Sequence, residues 1–194
     1  MFNLPPLDPF EMKELKLSDG QGRGQVNLTM RDVKLLGLKD AYLQNYSYDF
    51  NTGHASFLFT IPQLTLLGTY NISEYILMLP ISGTGNINIT LVDKKFTIRY
   101  YISKGKINGV DHALLTSSAV HLDSKRMYIH LDNLFDGDKR LGDEMHKLLD
   151  ENWKEVFYEI TPHIAASIIE VFTGMMNGIT KQIPYDLLAP ETLS

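Results

Sequence analysis

The chain changes its hydrophobic period once, and that change limits what it can fold into. From Gly24 to Leu134 apolar residues recur at every second position, as in Val26/Leu28/Met30, Tyr46/Tyr48/Phe50 and Ala55/Phe57/Phe59/Ile61. The same alternation returns in Phe96/Ile98/Tyr100/Ile102 and Met127/Ile129/Leu131. Period two makes strands with one buried and one wetter face. Turn signals divide them: Asn51-Thr-Gly53, Gly83-Thr-Gly85, Val92-Asp-Lys-Lys95, Lys104-Gly-Lys-Ile-Asn-Gly109 and Leu122-Asp-Ser-Lys125. Connections this short suit an antiparallel sheet, and long strands make it twist and coil.

From Gly142 to Ile183 the apolar positions step by three and four: Met145, Leu148/Leu149, Val156/Phe157, Ile160, Ile164, Ile168/Ile169, Phe172, Met175/Met176, Ile179, Ile183. This is the stripe of a helix. Asp143 and Glu144 suit its N-terminus, Pro184 ends it, and Pro162 bends it. Before Pro162 the opposite face is charged; between Ile160 and Thr180 the only charged residue is Glu170, so that half is buried on most sides. Pro162, His163, Glu170, Thr173 and Asn177 argue against a membrane span. One helix over residues 143–177 would be roughly 50 Å long. A compact chain of 194 residues is only about 40 Å across. The predicted architecture is therefore α+β and elongated: one domain, 1–194, with a highly curved antiparallel sheet wrapped along a long bent C-terminal helix. The space left between them is long, narrow and apolar.

Composition narrows function mainly by exclusion. The net charge is −5 and no run of Lys or Arg exceeds two residues, which argues against nucleic acid and an anionic membrane surface as main partners. There is no cysteine, hence no disulfide framework and no thiolate metal site. No G-x-S-x-G elbow, H-E-x-x-H helix or phosphate-binding loop occurs. Gly20-Gln-Gly-Arg-Gly24 precedes a strand, so it reads as a flexible turn. The six histidines are scattered without metal-ligand spacing, and Asp136-Gly-Asp138 lacks the further oxygen ligands of a calcium loop. No cofactor, no metal and no catalytic residue is expected.

Nine Phe, ten Tyr and eight Met carry the positive signal. Most are core, yet Met moulds to irregular partners and Tyr couples an apolar ring to one polar tip, a mixture that suits an apolar pocket. The expected lining is Tyr46, Tyr48, Phe57, Phe59, Tyr70 and Met127 on strands, with Phe157, Ile164, Ile168, Phe172 and Met176 on the helix. Four N-x-[ST] sequons, at Asn27, Asn45, Asn71 and Asn88, mark glycosylation candidates if the chain is secreted, and would then face solvent. Met1-Phe-Asn-Leu-Pro-Pro-Leu-Asp-Pro9 has no basic n-region or unbroken apolar stretch, so it does not read as a signal peptide.

Several segments, in order along nearly the whole chain, resemble one family. They are Leu4-Pro-Pro-Leu-Asp-Pro9, Phe57-Leu-Phe-Thr-Ile-Pro62, Leu67-Gly-Thr-Tyr70, Leu79-Pro-Ile-Ser-Gly-Thr-Gly85 and Leu134-Phe-Asp-Gly-Asp-Lys139, then Leu141-Gly-Asp143, Glu151-Asn-Trp153 and Ile183-Pro-Tyr-Asp-Leu-Leu-Ala-Pro190. The family is that of insect takeout and haemolymph juvenile-hormone-binding proteins. The resemblance implies the tubular lipid-binding superfamily, with an internal hydrophobic tunnel, secretion, and a juvenile hormone, another terpenoid or a fatty-acid-like lipid as ligand. It also implies an N-terminal segment with a cysteine pair, which this sequence lacks. An extracellular, non-enzymatic carrier without stable membrane insertion is the expectation; a lipid-transfer protein that docks on membranes is the alternative.

Overall fold

A computed structural model describes Pro6 and residues 8–18, 27–49, 52–76 and 79–188. The described strands are β1 (Phe10–Ser18), β2 (Asn27–Leu36), β3 (Tyr42–Asp49), β4 (His54–Ile76), β5 (Leu79–Ile107), β6 (Val110–Asp123) and β7 (Arg126–Leu131). They form one antiparallel sheet in the order β1-β2-β4-β5-β6, with β3 beside β4 and β7 beside β5. Its backbone is the β4–β5 hairpin. Drawn straight, a strand as long as the 29-residue β5 would reach about 95 Å, so it must coil. The far edge of β4 is shared end to end by β3 and β2, and that of β5 by β6 and β7. The β5–β6 turn is Asn108-Gly109, with φ of 50° and 83°, the left-handed pair a two-residue hairpin favours.

Two segments expected to be turns lie inside β5. The register of β4 against β5 is constant from His54↔Tyr101 to Ile76↔Leu79, save for one missing pair, Pro62 opposite Asp93. Proline cannot donate to the ladder, and Asp93 takes a φ of 47°. The strands continue, but their alternation changes phase. Ala55 and Ile61 are buried on one side of Pro62, Leu64, Leu66, Tyr70 and Ile72 on the other. On β5, Ile87, Ile89 and Leu91 give way to Lys94, Phe96, Ile98 and Tyr100.

Gly83-Thr-Gly85 is the second corrected turn. These residues pair with Ile72, Asn71 and Tyr70, and their glycines admit the chain after β7. A β-carbon on Gly85 would sit 2.5 Å from the Asp132 carbonyl oxygen; one on Gly83 would sit 2.7 Å from the Tyr70 hydroxyl. Gly85→Val is expected to destabilise the protein by about 3 kcal/mol, at the upper end of overpacking costs because the obstacle is backbone. Urea unfolding checks this.

The long helix is not one piece. α1 (Lys139–Glu151) and α2 (Trp153–Thr180) meet at Asn152, whose φ of −108° and ψ of 31° break the helical run. Its side-chain amide donates to the Leu148 carbonyl at 2.8 Å, an interaction that competes with helix continuation. Pro162, the expected bend, lies inside α2, and the N-cap is Asp138, which accepts from the Leu141 N–H at 3.0 Å. At 28 residues α2 spans about 42 Å, so the elongation argument survives the break. Its stripe of Val156, Phe157, Ile160, Ala165 and Ile169 is buried against the sheet, where α2 packs on β6, β1 and β7. The Asn177 amide bridges the Leu115 N–H at 2.8 Å and carbonyl at 2.7 Å, clamping α2 to β6. A short helix, α3 (Tyr185–Leu188), follows.

Candidate ligand-binding site

The concave face of the sheet and the buried stripe of α2 enclose the interior. It divides into two clusters. The larger surrounds Met30, Val33, Ile81, Met127, Leu149, Val156 and Phe157, all nearly inaccessible to solvent. The smaller holds Ala55, Ile98, Tyr100, Ala113, Leu115 and Ile169, bordered by half-buried Tyr48, Phe57, Phe59, Ile102, Val120 and Tyr185. Phe57 links the border to its centre, stacked on Phe59 at 6.3 Å between ring centroids and edge-on to Tyr100 at 6.2 Å. Phe59 and Val120 also pack on the larger cluster, so the two are continuous.

The expected lining residues scatter over this geometry. Tyr48, Phe57 and Phe59 lie at the border of the smaller cluster, and Phe172 packs on the larger, 6.1 Å from the Phe10 ring. Tyr70, Met127 and Phe157 are core, each no more than 3% exposed. Tyr46 lies opposite Phe57, hence on the same face, but on the sheet edge it is 69% exposed. On α2 it is Met175 that packs on the core, while Met176 is 41% exposed. The side chains of Ile164 and Ile168 are outside the described residues, as is that of Asn27. Asn45, Asn71 and Asn88 are exposed.

Two concavities stand out among the described residues. One, of about 530 Å³, is a groove between Leu79, Pro80 and Phe135 on one side and the Leu141–Glu151 face of α1 with Asn152 on the other. The other, of about 440 Å³, lies across Asp32, Lys34, Gly68, Asn88 and His130. Neither includes any of the eleven expected lining residues.

Polar groups inside the molecule are few, and most are committed. The Tyr70 hydroxyl donates to the Asp132 carbonyl at 2.7 Å, and burial together with the Asp132 carboxylate pushes its pKa up to about 12. The Tyr48 hydroxyl, hydrogen-bonded to Tyr185, is likewise raised to about 12. Two groups differ. The buried Thr173 hydroxyl has no hydrogen-bond partner. Lys94 is 2% exposed, and its ammonium lies 5.1 Å from the Phe96 ring centroid and 5.3 Å from that of Phe157. Desolvation alone pulls its pKa down to about 7. The residues before and after the Pro62–Asp93 interruption explain it: had the earlier phase continued, Lys95 would face inward and Lys94 outward. Extending the Phe96/Ile98/Tyr100 alternation back by one step would have found this residue; reading Val92–Lys95 as a turn concealed it. No cluster of His, Asp or Glu suited to a metal occurs among the described residues, and no described helix is long and apolar enough to cross a membrane.

An antiparallel sheet coiled along a helix, around an apolar interior with isolated polar groups, is an architecture suited to binding an apolar ligand. The model of the haemolymph juvenile hormone binding protein family matches residues 1–190, and the chain belongs to that family of ligand-binding carriers. It is similar to the crystal structure of Takeout 1 from Epiphyas postvittana, with a TM-score of 0.83 and 27% identity, covering 94% of this chain and 83% of that one. It is 24% identical over 188 residues to the circadian clock-controlled protein daywake of Drosophila melanogaster, covering 93% of this chain and 72% of that protein. The daywake protein of Drosophila yakuba is 23% identical over the same coverage.

Proposed function

We propose that this protein is a single-domain, non-enzymatic, extracellular carrier, holding a juvenile hormone, another terpenoid or a fatty-acid-like lipid in an internal tunnel. The observation that carries the reading is the border of the smaller cluster. Tyr48, Phe57, Phe59 and Tyr185 are only half buried around a small core, so rings that face the concave side are not fully packed by the protein. A terpenoid or acyl chain gains about 25 cal/mol for each Å² of apolar surface it shares with them. The tunnel lining is taken as Tyr48, Phe57, Phe59 and Phe172. Three sequons on exposed strand positions, Asn45, Asn71 and Asn88, are compatible with a secreted glycoprotein.

Native mass spectrometry of the purified protein, followed by solvent extraction, tests the carrier reading by identifying what travels with it. Phe172→Asp is expected to weaken retention of a fluorescent apolar probe about 10-fold or more, since a carboxylate would be desolvated against the ligand. Phe172→Ala is expected to retain the probe. Equal affinity in a folded Phe172→Asp variant would remove this helix face from the site.

One observation favours membrane docking as a second reading. β3 presents Tyr42, Leu43 and Tyr46 to solvent, 53%, 47% and 69% exposed, along a free sheet edge. Vesicle-to-vesicle transfer of a labelled lipid separates the two. A carrier that loads from water transfers at a rate independent of acceptor concentration; a docking protein speeds up as acceptor vesicles are added.

A further inference from the structure

We propose that Lys94 anchors an acidic headgroup, so that the ligand class this interior takes is a long-chain carboxylic acid, bound with its carboxylate against the Lys94 ammonium group. The inference rests on the carrier reading and deepens it.

The backbone itself turns this side chain inward. Pro62 and Asp93 break the β4–β5 ladder at one pair, and the phase change brings Lys94 onto the concave face while Lys95 remains exposed. An ammonium taken out of water needs a counter-charge or several acceptors. None of the described ion pairs or hydrogen bonds involves Lys94. What it has are the faces of Phe96 and Phe157, one from the sheet and one from α2. Cation–π attraction offsets only part of the desolvation. The lowered pKa agrees: among the described residues desolvation is its cause, and no described carboxylate acts in the other direction.

Of the other described interior polar groups, the unpaired Thr173 hydroxyl carries no charge to match an acidic headgroup. The hydroxyls of Tyr70 and Tyr48 are taken by Asp132 and Tyr185, and the Asn177 amide by the Leu115 backbone. A lysine is a compact point charge with three donors on a flexible stem and no acceptor. Its best complement is an anion: the carboxylate pair is a charge-assisted hydrogen bond in a low-dielectric site, whereas an ester or alcohol oxygen leaves the cation uncompensated. Phe96 and Phe157 then flank the first methylenes of the acyl chain, and the half-buried Phe59, which pairs with Phe96, continues the apolar path.

The test uses delipidated full chain, the neutral fluorescent probe N-phenyl-1-naphthylamine, and three competitors of equal chain length: palmitic acid, methyl palmitate and hexadecanol. Wild type is expected to bind the acid about 10-fold or more tightly than the ester or alcohol. Lys94→Met is expected to lose that preference while holding the ester as well as before. Equal affinities of wild type for acid and ester would overturn the inference and leave the carrier reading standing; this comparison needs no variant. An acid preference that survives in folded Lys94→Met would overturn it too, by placing the anchor elsewhere. If neither probe nor competitors bind wild type, both readings fall.

Discussion

Phe157→Ala is expected to lower the unfolding free energy by about 3–5 kcal/mol. The side chain is 2% exposed and sits on α2, next to fully buried Val156, in the larger core cluster that sheet and helix share. Its ring also meets Tyr158 edge-on at 5.5 Å and receives the Lys94 ammonium at 5.3 Å. Truncation therefore removes buried apolar area, leaves a cavity the coiled sheet can close only by uncoiling, and strips one of two aromatic faces from a buried cation. The single tryptophan, Trp153, lies one turn away at the start of α2 and reports the transition in urea. A loss below about 1 kcal/mol would show that the helix is not packed on the sheet here.

Lys94→Met is expected to do the opposite, raising stability in the delipidated protein, and to do so in a pH-dependent way. The unfolded chain holds the lysine proton up to about pH 10.5, whereas the folded chain releases it near 7. Below pH 7 both states are protonated and the cost of burying the charge is fully present. Between pH 7 and 10.5 the unfolded state binds more protons, so wild-type stability rises with pH, by at most about 1.4 kcal/mol per pH unit. Methionine carries no such charge and fills a similar volume, although it forfeits the attraction to Phe96 and Phe157. The variant is therefore expected to exceed wild type by about 2 kcal/mol or more at pH 6, with the gap closing toward pH 10. Urea titrations at both values check this. A variant less stable than wild type at pH 6 would mean that the ammonium is compensated within the protein. An acidic ligand would narrow the same gap, because it supplies the counter-charge that the described part of the protein lacks.

Much of the architecture was legible from pattern alone. Alternation in Ala55–Ile61, Phe96–Ile102 and Met127–Leu131 marked real strands, and the three- and four-residue steps from Met145 to Ile169 marked the buried face of the helices. The length of that stripe was enough to require an elongated molecule. These features are local: a period depends only on neighbours along the chain. The candidate site was less legible, because it depends on phase. That Met175 packs on the core while Met176 is exposed, and that Tyr46 stands at an exposed edge, turn on one step or one strand, which no period reveals. The break at Asn152 instead of Pro162 is of the same kind. Proline inside a long helix is tolerated where packing on β6, β1 and β7 holds both halves, while an asparagine side chain can take the preceding turn's carbonyl for itself.

The sequence by itself thus determined that a long coiled antiparallel sheet lies on a long apolar helix, since hydrophobic period, turn chemistry and chain length admit little else. Only the tertiary structure decided which residues meet inside. Pro62 on β4 and Asp93 on β5 are thirty-one positions apart in sequence, and neither alone predicts a phase change in the other's strand. Brought opposite each other by the hairpin register, they remove one rung of the ladder and invert both alternations together. That inversion places Lys94 among phenylalanines and Lys95 in water, and it is a property of the pair, which exists only once the strands have met.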